Sequence, residues 1–329
     1  MRALASPGAV VVVLLLAGLA LLPLLGASNY VEHIVIISCI WAIVAASWDL
    51  SLGYGGIFNF AHIAFFGLGV YVYAVGAKAL GAPTLAALPL AGLLASLVAV
   101  LITLPVLRLK GIYVILATFA LSQLVLQLVL SQNQITGGAQ GMVLLPTLNL
   151  FGLRLASYGK VGFYYFALLL VLAVTIALRW VVLSDFGRSI VALKENEDYA
   201  VARGISIGRQ RLIVLVASAA PAGVIGAFYA AYLRVASPDV FGFDTLSIVL
   251  IVLLLGGAAS ITGPVIASFL VTSSTEALSN LGPARFMVIA VVIVVILRFY
   301  PGGLDALIEK LWPRKSAPME VMRWIQRRP

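Results

Sequence analysis

Apolar runs of bilayer-spanning length, divided by short polar punctuation, make up almost the whole chain. They fall at 8–26, 33–50, 57–77, 85–107, 111–131, 161–183, 211–233, 245–260, 263–280 and 284–300. A helix of about 20 apolar residues crosses the hydrocarbon core, and it satisfies its own backbone polar groups on the way. The pattern predicts an all-α integral membrane protein, a polytopic helical bundle with 8–10 transmembrane helices. The eighth and ninth runs are short, and Gly256-Gly257 and Gly263-Pro264 bracket the turn between them. They read either as two crossings or as a re-entrant, tightly hairpinned pair. Both counts leave the two termini on the same side.

One polar stretch breaks this pattern. Ser184 to Arg211, SDFGRSIVALKENEDYAVARGISIGRQR, holds nine charged residues. The side-chain oxygen of Asn196 can accept from the free amides of a helix's first turn. Glu197 and Asp198 then stand at the positive end of the helix dipole and Arg203 at the negative end. Gly204 follows, where a chain leaves a helix with positive φ. These signals predict a short, independently capped helix of about two turns. Set between spans, it must lie in water. It reads either as a solvated linker or as a docking surface for a soluble partner.

Composition agrees with the pattern and adds an orientation. The chain is 63% hydrophobic and 10% charged over 329 residues, against about 25% charged in soluble domains. Its net charge of +9 is the surplus of basic residues expected in cytoplasmic loops and needs no nucleic acid. With ten crossings, Arg2, Arg108, Lys110, Arg188 to Arg211 and Arg314, Lys315, Arg323, Arg327 and Arg328 share one side. The other side holds Lys78, Arg154, Lys160, Arg234 and Arg285. The first side is therefore expected to be cytoplasmic, with both termini and the Asn196 helix there. Residues 1–311 read as one transmembrane domain, with the polar segment 184–211 inside it. Residues 312–329 read as a basic tail lying on the membrane surface, with Trp312 and Trp324 as anchors. The first run is longer than a signal's apolar region and Leu25-Gly26-Ala27 is a poor cleavage site, so it reads as an uncleaved span. Cys39 is alone, so no disulfide forms within the chain.

Polar side chains inside a bilayer turn toward protein or water-filled space. In the fifth run Gln123, Gln127 and Ser131 recur every four residues, with Gln134 beyond. In the ninth Ser268, Thr272, Glu276 and Ser279 follow one helix face, and Glu276 is expected to be the most deeply placed acid. In the third, Asn59 and His62 stand one turn apart. Each set lines a solute path or else joins helices by hydrogen bonds. The cluster Thr136-Gly137-Gly138-Ala139-Gln140-Gly141, in the long segment 132–160, is either a plain turn or a place where backbone approaches a solute. The seventh run carries two columns of small residues, Ser218, Ala222, Gly226, Ala230 and Ala219, Gly223, Ala227, Ala231, which permit close helix approach. No phosphate-binding loop occurs; Gly159-Lys160 is followed by valine. His33 and His62 lack metal-site spacing, and no paired-carboxylate centre is legible.

Three blocks resemble one family in sequence and order. Lys194 to Ile207, KENEDYAVARGISI, is similar to the cytoplasmic coupling segment of branched-chain amino-acid (Liv-type) permease subunits of ABC importers. Tyr199-Ala200-Val201-Ala202 stands where that family often has paired alanines. Leu52 to Gly69, LGYGGIFNFAHIAFFGLG, and the LLGGxxSxxGP pattern at Leu254 to Pro264 resemble the same family. The resemblance implies a permease subunit in the cytoplasmic membrane that carries amino acids by alternating access. It implies a second permease subunit, homologous or identical, two cytoplasmic ABC ATPase subunits and an external solute-binding protein. ATP would be bound on the partner subunits, with no cofactor or metal in this chain. Coupling to the ATPases then falls to Glu195, Asn196, Glu197, Asp198, Tyr199, Ala200, Arg203 and Gly204. The path falls to Asn59, His62, Gln123, Gln127, Thr136, Gly137, Thr272 and Glu276. Two alternatives stay open at this point: an ion-coupled secondary transporter, and a permease of the same type for urea or short amides.

Overall fold

The computed structural model describes residues 7–311, apart from 108, 110, 151–152, 283, 285–286, 292–297, 299 and 301. The expectations placed on Arg2, Arg108, Lys110, Arg285 and the tail from Trp312 therefore lie outside the described residues. So does most of the run 284–300.

The described chain is a helical bundle whose elements follow the apolar runs. They are α1 (Pro7–Leu21), α2 (Asn29–Asp49), α3 (His62–Ala74), α4 (Thr84–Val106), α5 (Ile112–Ser131), the single turn α6 (Asn133–Thr136) and α7 (Gly159–Leu183). Two short helices, α8 (Asp185–Glu195) and α9 (Glu197–Ala202), precede α10 (Ile207–Leu233), α11 (Phe243–Gly256) and α12 (Thr262–Ala277). A final helix, α13, spans Gly303–Leu311. Six helices among the described residues are long and apolar enough to cross a membrane. α2 overruns its predicted end, because a π-helical turn at Leu50–Tyr54 continues it. α3 starts later than predicted, at His62. The Oδ1 of Asn59 accepts from Ala61 N at 2.8 Å, an Asx turn that competes with helix.

Contacts fix the direction of each element. Lys194 on α8 reaches Gly53 at the end of α2, so these share one end of the bundle with α9. At the opposite end Lys78 donates to Val143 O and Arg234 to Leu145 O. There the segment 132–160 is folded. Met142–Val143 pairs antiparallel with Val235–Ala236, and Asn149–Leu150 pairs antiparallel with Leu153–Arg154. α11 and α12 are an antiparallel pair closed by a tight turn. A Cβ at Gly256 would meet the backbone of Gly263 and Pro264, so the glycines let the pair close tightly. α11 has 14 residues, about 21 Å of helix, which is short of a full hydrocarbon core.

α10 lies against α3 and α4, and α2 lies against α7, α11 and α12, with α10 and α2 also packed on each other. The small columns of α10 make the first contact possible. A Cβ at Gly223 would reach Ala91 O at 2.5 Å and the Ala95 methyl at 2.6 Å, and one at Gly69 would fall on the backbone of Gly223. Helices approach this closely in lipid because van der Waals contact, with no gain from dehydration, drives their association. α10 runs unbroken through Pro221.

Candidate functional site

The polar segment forms two helices where the sequence predicted one. Ser184 caps α8, accepting from Gly187 N at 3.3 Å, and Asp185 pairs with Arg188 in its first turn. Ile190 and Leu193 are buried against the bundle, giving α8 an apolar inner face. The signal was present locally, as a Ser-Asp start followed by apolar residues at helical spacing.

α9 is built as its caps dictate. Asn196 Oδ1 accepts from Tyr199 N at 2.9 Å. At the other end Gly204 takes φ +84° and Ile205 N donates back to Ala200 O at 3.1 Å. Ala200 is 1% exposed and seats the helix. Glu197 is half-buried and accepts from the Arg211 guanidinium of α10 at 3.1 Å. These two members of the predicted docking set therefore face the bundle. Helix geometry turns residues 197 and 200, three apart, to one side. Glu195, Asn196, Asp198, Tyr199, Arg203 and Gly204 stand exposed. Tyr199 is 58% exposed, and Arg203 both donates to its hydroxyl at 2.8 Å and lies over its ring at 5.3 Å. Val201, also exposed, is an apolar member of this face that the sequence reading passed over. The outward face thus combines an aromatic ring, a guanidinium, a carboxylate and an aliphatic side chain on a short capped helix.

The predicted path residues separate into three groups. Gln123 and Gln127 stand exposed on the outer face of α5, with Ser131 and Gln134 continuing the stripe. Asn59, His62 and Thr272 are buried inside the subunit. His62 is packed in the core: its Nε2 lies 3.0 Å from Ser47 Oγ and its ring stacks on Trp48 at 5.7 Å. Asn59 and His62 do not share a helix face, since Asn59 precedes α3. Thr272 is 5% exposed, on α12, which packs against α2. Thr136 ends α6 and Gly137 caps it. The Thr136 hydroxyl donates to Val129 O at 2.6 Å, and Gly137 takes φ +77° with no room for a Cβ beside Gly141.

Glu276 is not the most deeply placed acid. It is partly exposed near the end opposite α9, where Tyr30 donates to it at 3.3 Å. Asp49 is fully buried and Glu32 is 5% exposed. The sequence pointed to Glu276 because it lies within an apolar run, whereas burial depends on which helices surround a residue. Among the described residues no group of three or more His, Cys, Asp or Glu is placed to hold a metal ion. At the end opposite α9, cavities of about 880 and 410 Å³ open beside Arg234. Thr84, Thr147 and Asn149 line the first, and His33, Lys160 and Tyr232 the second.

Comparison with known proteins gives this arrangement a family. The family described as "Branched-chain amino acid transport system / permease component" matches residues 30–297. The high-affinity branched-chain amino acid transport system permease protein LivM of Escherichia coli (strain K12) is 30% identical over 283 residues, 80% of this chain. The protein of the same name from Salmonella typhimurium (strain LT2) is 30% identical over the same length. The chain spans 65% of the length of these curated relatives. No solved structure matches. With its apolar helices and a family match covering most of its length, this multi-pass membrane protein belongs to the branched-chain amino acid transport system permease family.

Proposed function

We propose that the chain is the transmembrane permease subunit of an ABC importer, carrying branched-chain or related amino acids across the cytoplasmic membrane. The observation that carries this reading is the capped, outward-facing α9, seated at the end of a bundle of the permease family. Separate ATPase subunits grip Tyr199, Val201 and Arg203 there, and their closure tilts the attached spans. The concentration of basic residues at this end supports placing it in the cytoplasm. The solute enters from an external binding protein at the other end. A second permease subunit faces α5. An exposed row of glutamines in a spanning helix is costly against lipid and favourable along a water-filled seam, so Gln123 and Gln127 line the path between the two subunits. Asn59, His62 and Thr272 support it from within.

The test is reconstitution of the chain with its permease partner, ATPases and binding protein in proteoliposomes. ATP-dependent uptake of labelled leucine, with labelled urea as comparison, reads the solute class. Arg203→Glu combined with Asp198→Lys is expected to abolish both ATPase capture in detergent and uptake. Retention of both in this variant refutes the docking assignment, and urea uptake without leucine uptake refutes the solute assignment.

A further inference from the structure

Two polar contacts tie the coupling segment to the bundle, beside its buried apolar residues Ile190, Leu193 and Ala200. On the α10 side, Glu197 of α9 pairs with Arg211 at 3.1 Å. On the α2 side, the ammonium of Lys194, near the end of α8, donates to the carbonyl oxygen of Gly53 at 2.6 Å. Gly53 sits inside the π-helical turn Leu50–Tyr54, a distortion that recurs at functional sites. It is wedged without side-chain space: a Cβ there would collide with Asp49 Oδ1 and with Ala259 N. Those two atoms are themselves hydrogen-bonded at 2.9 Å across 210 residues of sequence. Asp49 is fully buried, and its other oxygen, Oδ2, has no partner among the described residues. Ala259 takes φ +63° in the turn between α11 and α12, a conformation costly for a residue with a Cβ. The next turn of chain is tied too, since Thr262 Oγ1 donates to Asp305 of α13 at 3.3 Å.

We infer that Lys194, Gly53 and Asp49 form a mechanical link that transmits displacement of the coupling segment to the turn between α11 and α12. This deepens the reading of α9 as an ATPase-docking helix and rests on it. A shift of α8 pulls the Gly53 carbonyl. With no slack between Gly53, Asp49 and Ala259, the pull reaches the strained turn. Because the segment also holds α10 through Arg211, tilting it moves α10 together with the turn between α11 and α12. Lys194 is a positioning residue in this scheme. A charge-assisted bond to a carbonyl is what arginine can also make and methionine cannot.

Two measurements on the full transporter test the link. Hydrogen exchange of the peptide covering 255–262 is compared in wild type, Lys194→Met and Lys194→Arg. Faster exchange at residues 257–261 in the methionine variant, restored by arginine, is expected. In proteoliposomes the ratio of leucine uptake to ATP hydrolysed is expected to fall about tenfold in Lys194→Met and to recover in Lys194→Arg. A wild-type ratio in the methionine variant, or unchanged exchange at 257–261, overturns the link while leaving the importer reading intact. Wild-type protein that assembles with its partners yet shows no ATP-driven uptake overturns the importer reading itself, and the link with it.

Discussion

Replacing Gly226 with alanine sets two opposing energies against each other. Helix propensity alone favours alanine over glycine by about 0.8–1.0 kcal/mol. The structure opposes it. A Cβ on Gly226 would collide with the carbonyl oxygen of Phe66 and lie 3.1 Å from both Phe66 C and Val70 N. All three are backbone atoms of α3, so no side chain can swing away and the two helices must separate. Forcing one extra carbon into a packed interior costs about 1–3 kcal/mol. Here separation also weakens the neighbouring contacts of Gly69 with Gly223 and of Gly223 with Ala91 and Ala95, so the upper half of that range applies. The net expectation is destabilisation of about 1–2 kcal/mol despite the better helix former. At about 2–4 °C per kcal/mol for chains of 150–250 residues, the melting temperature in detergent should drop by several degrees. Gly18→Ala in α1 is the control, because no described heavy atom lies within 4 Å of its added Cβ. It should melt at or slightly above the wild-type temperature. The reasoning fails if Gly226→Ala melts no lower than wild type, or if both variants fall equally.

Three further outcomes are expected. Asn196→Ala removes the cap on Tyr199 N and should cost about 1 kcal/mol, seen as faster hydrogen exchange confined to residues 197–203; Asn196→Asp should keep the wild-type rate. Charge reversal at either Glu197 or Arg211 should weaken the joint between α9 and α10, and the double reversal should recover most of it. The coupling energy from the double-mutant cycle should be about 0.5–1 kcal/mol, since the two side chains keep 36% and 23% of their exposure; zero coupling would show the pair to be incidental. Gln123→Leu with Gln127→Leu should leave the isolated chain at least as stable while lowering uptake in the assembled transporter; unchanged uptake would place this face against lipid.

The spans and the end signals of α9 were legible in the sequence because each depends on neighbours a few residues apart. Apolar length alone marks α4, α5, α7 and α10. Asn196 and Gly204 mark the ends of α9 through local backbone chemistry. α8 was equally local, yet the density of charge around it drew it into a single polar segment. The candidate site divided differently. Of the residues assigned to one outward surface, Glu195, Asn196, Asp198, Tyr199, Arg203 and Gly204 are exposed, while Ala200 and Glu197 turn inward. His62 and Asn59 seemed to share a helix face until the Asx turn at Asn59 delayed the start of α3.

The amino-acid sequence by itself determined that this chain is a multi-span helical membrane protein with one capped helix outside the apolar layer. Those properties follow from hydropathy over about 20 residues and from hydrogen bonds spanning three or four. Tertiary structure alone decided which polar groups are interior. Asp49 is buried because Ala259, 210 residues away, meets it, and Gln123 is exposed because no described helix covers that face of α5. A residue's periodicity fixes the helix face it occupies, but only the packing of distant helices fixes what that face meets.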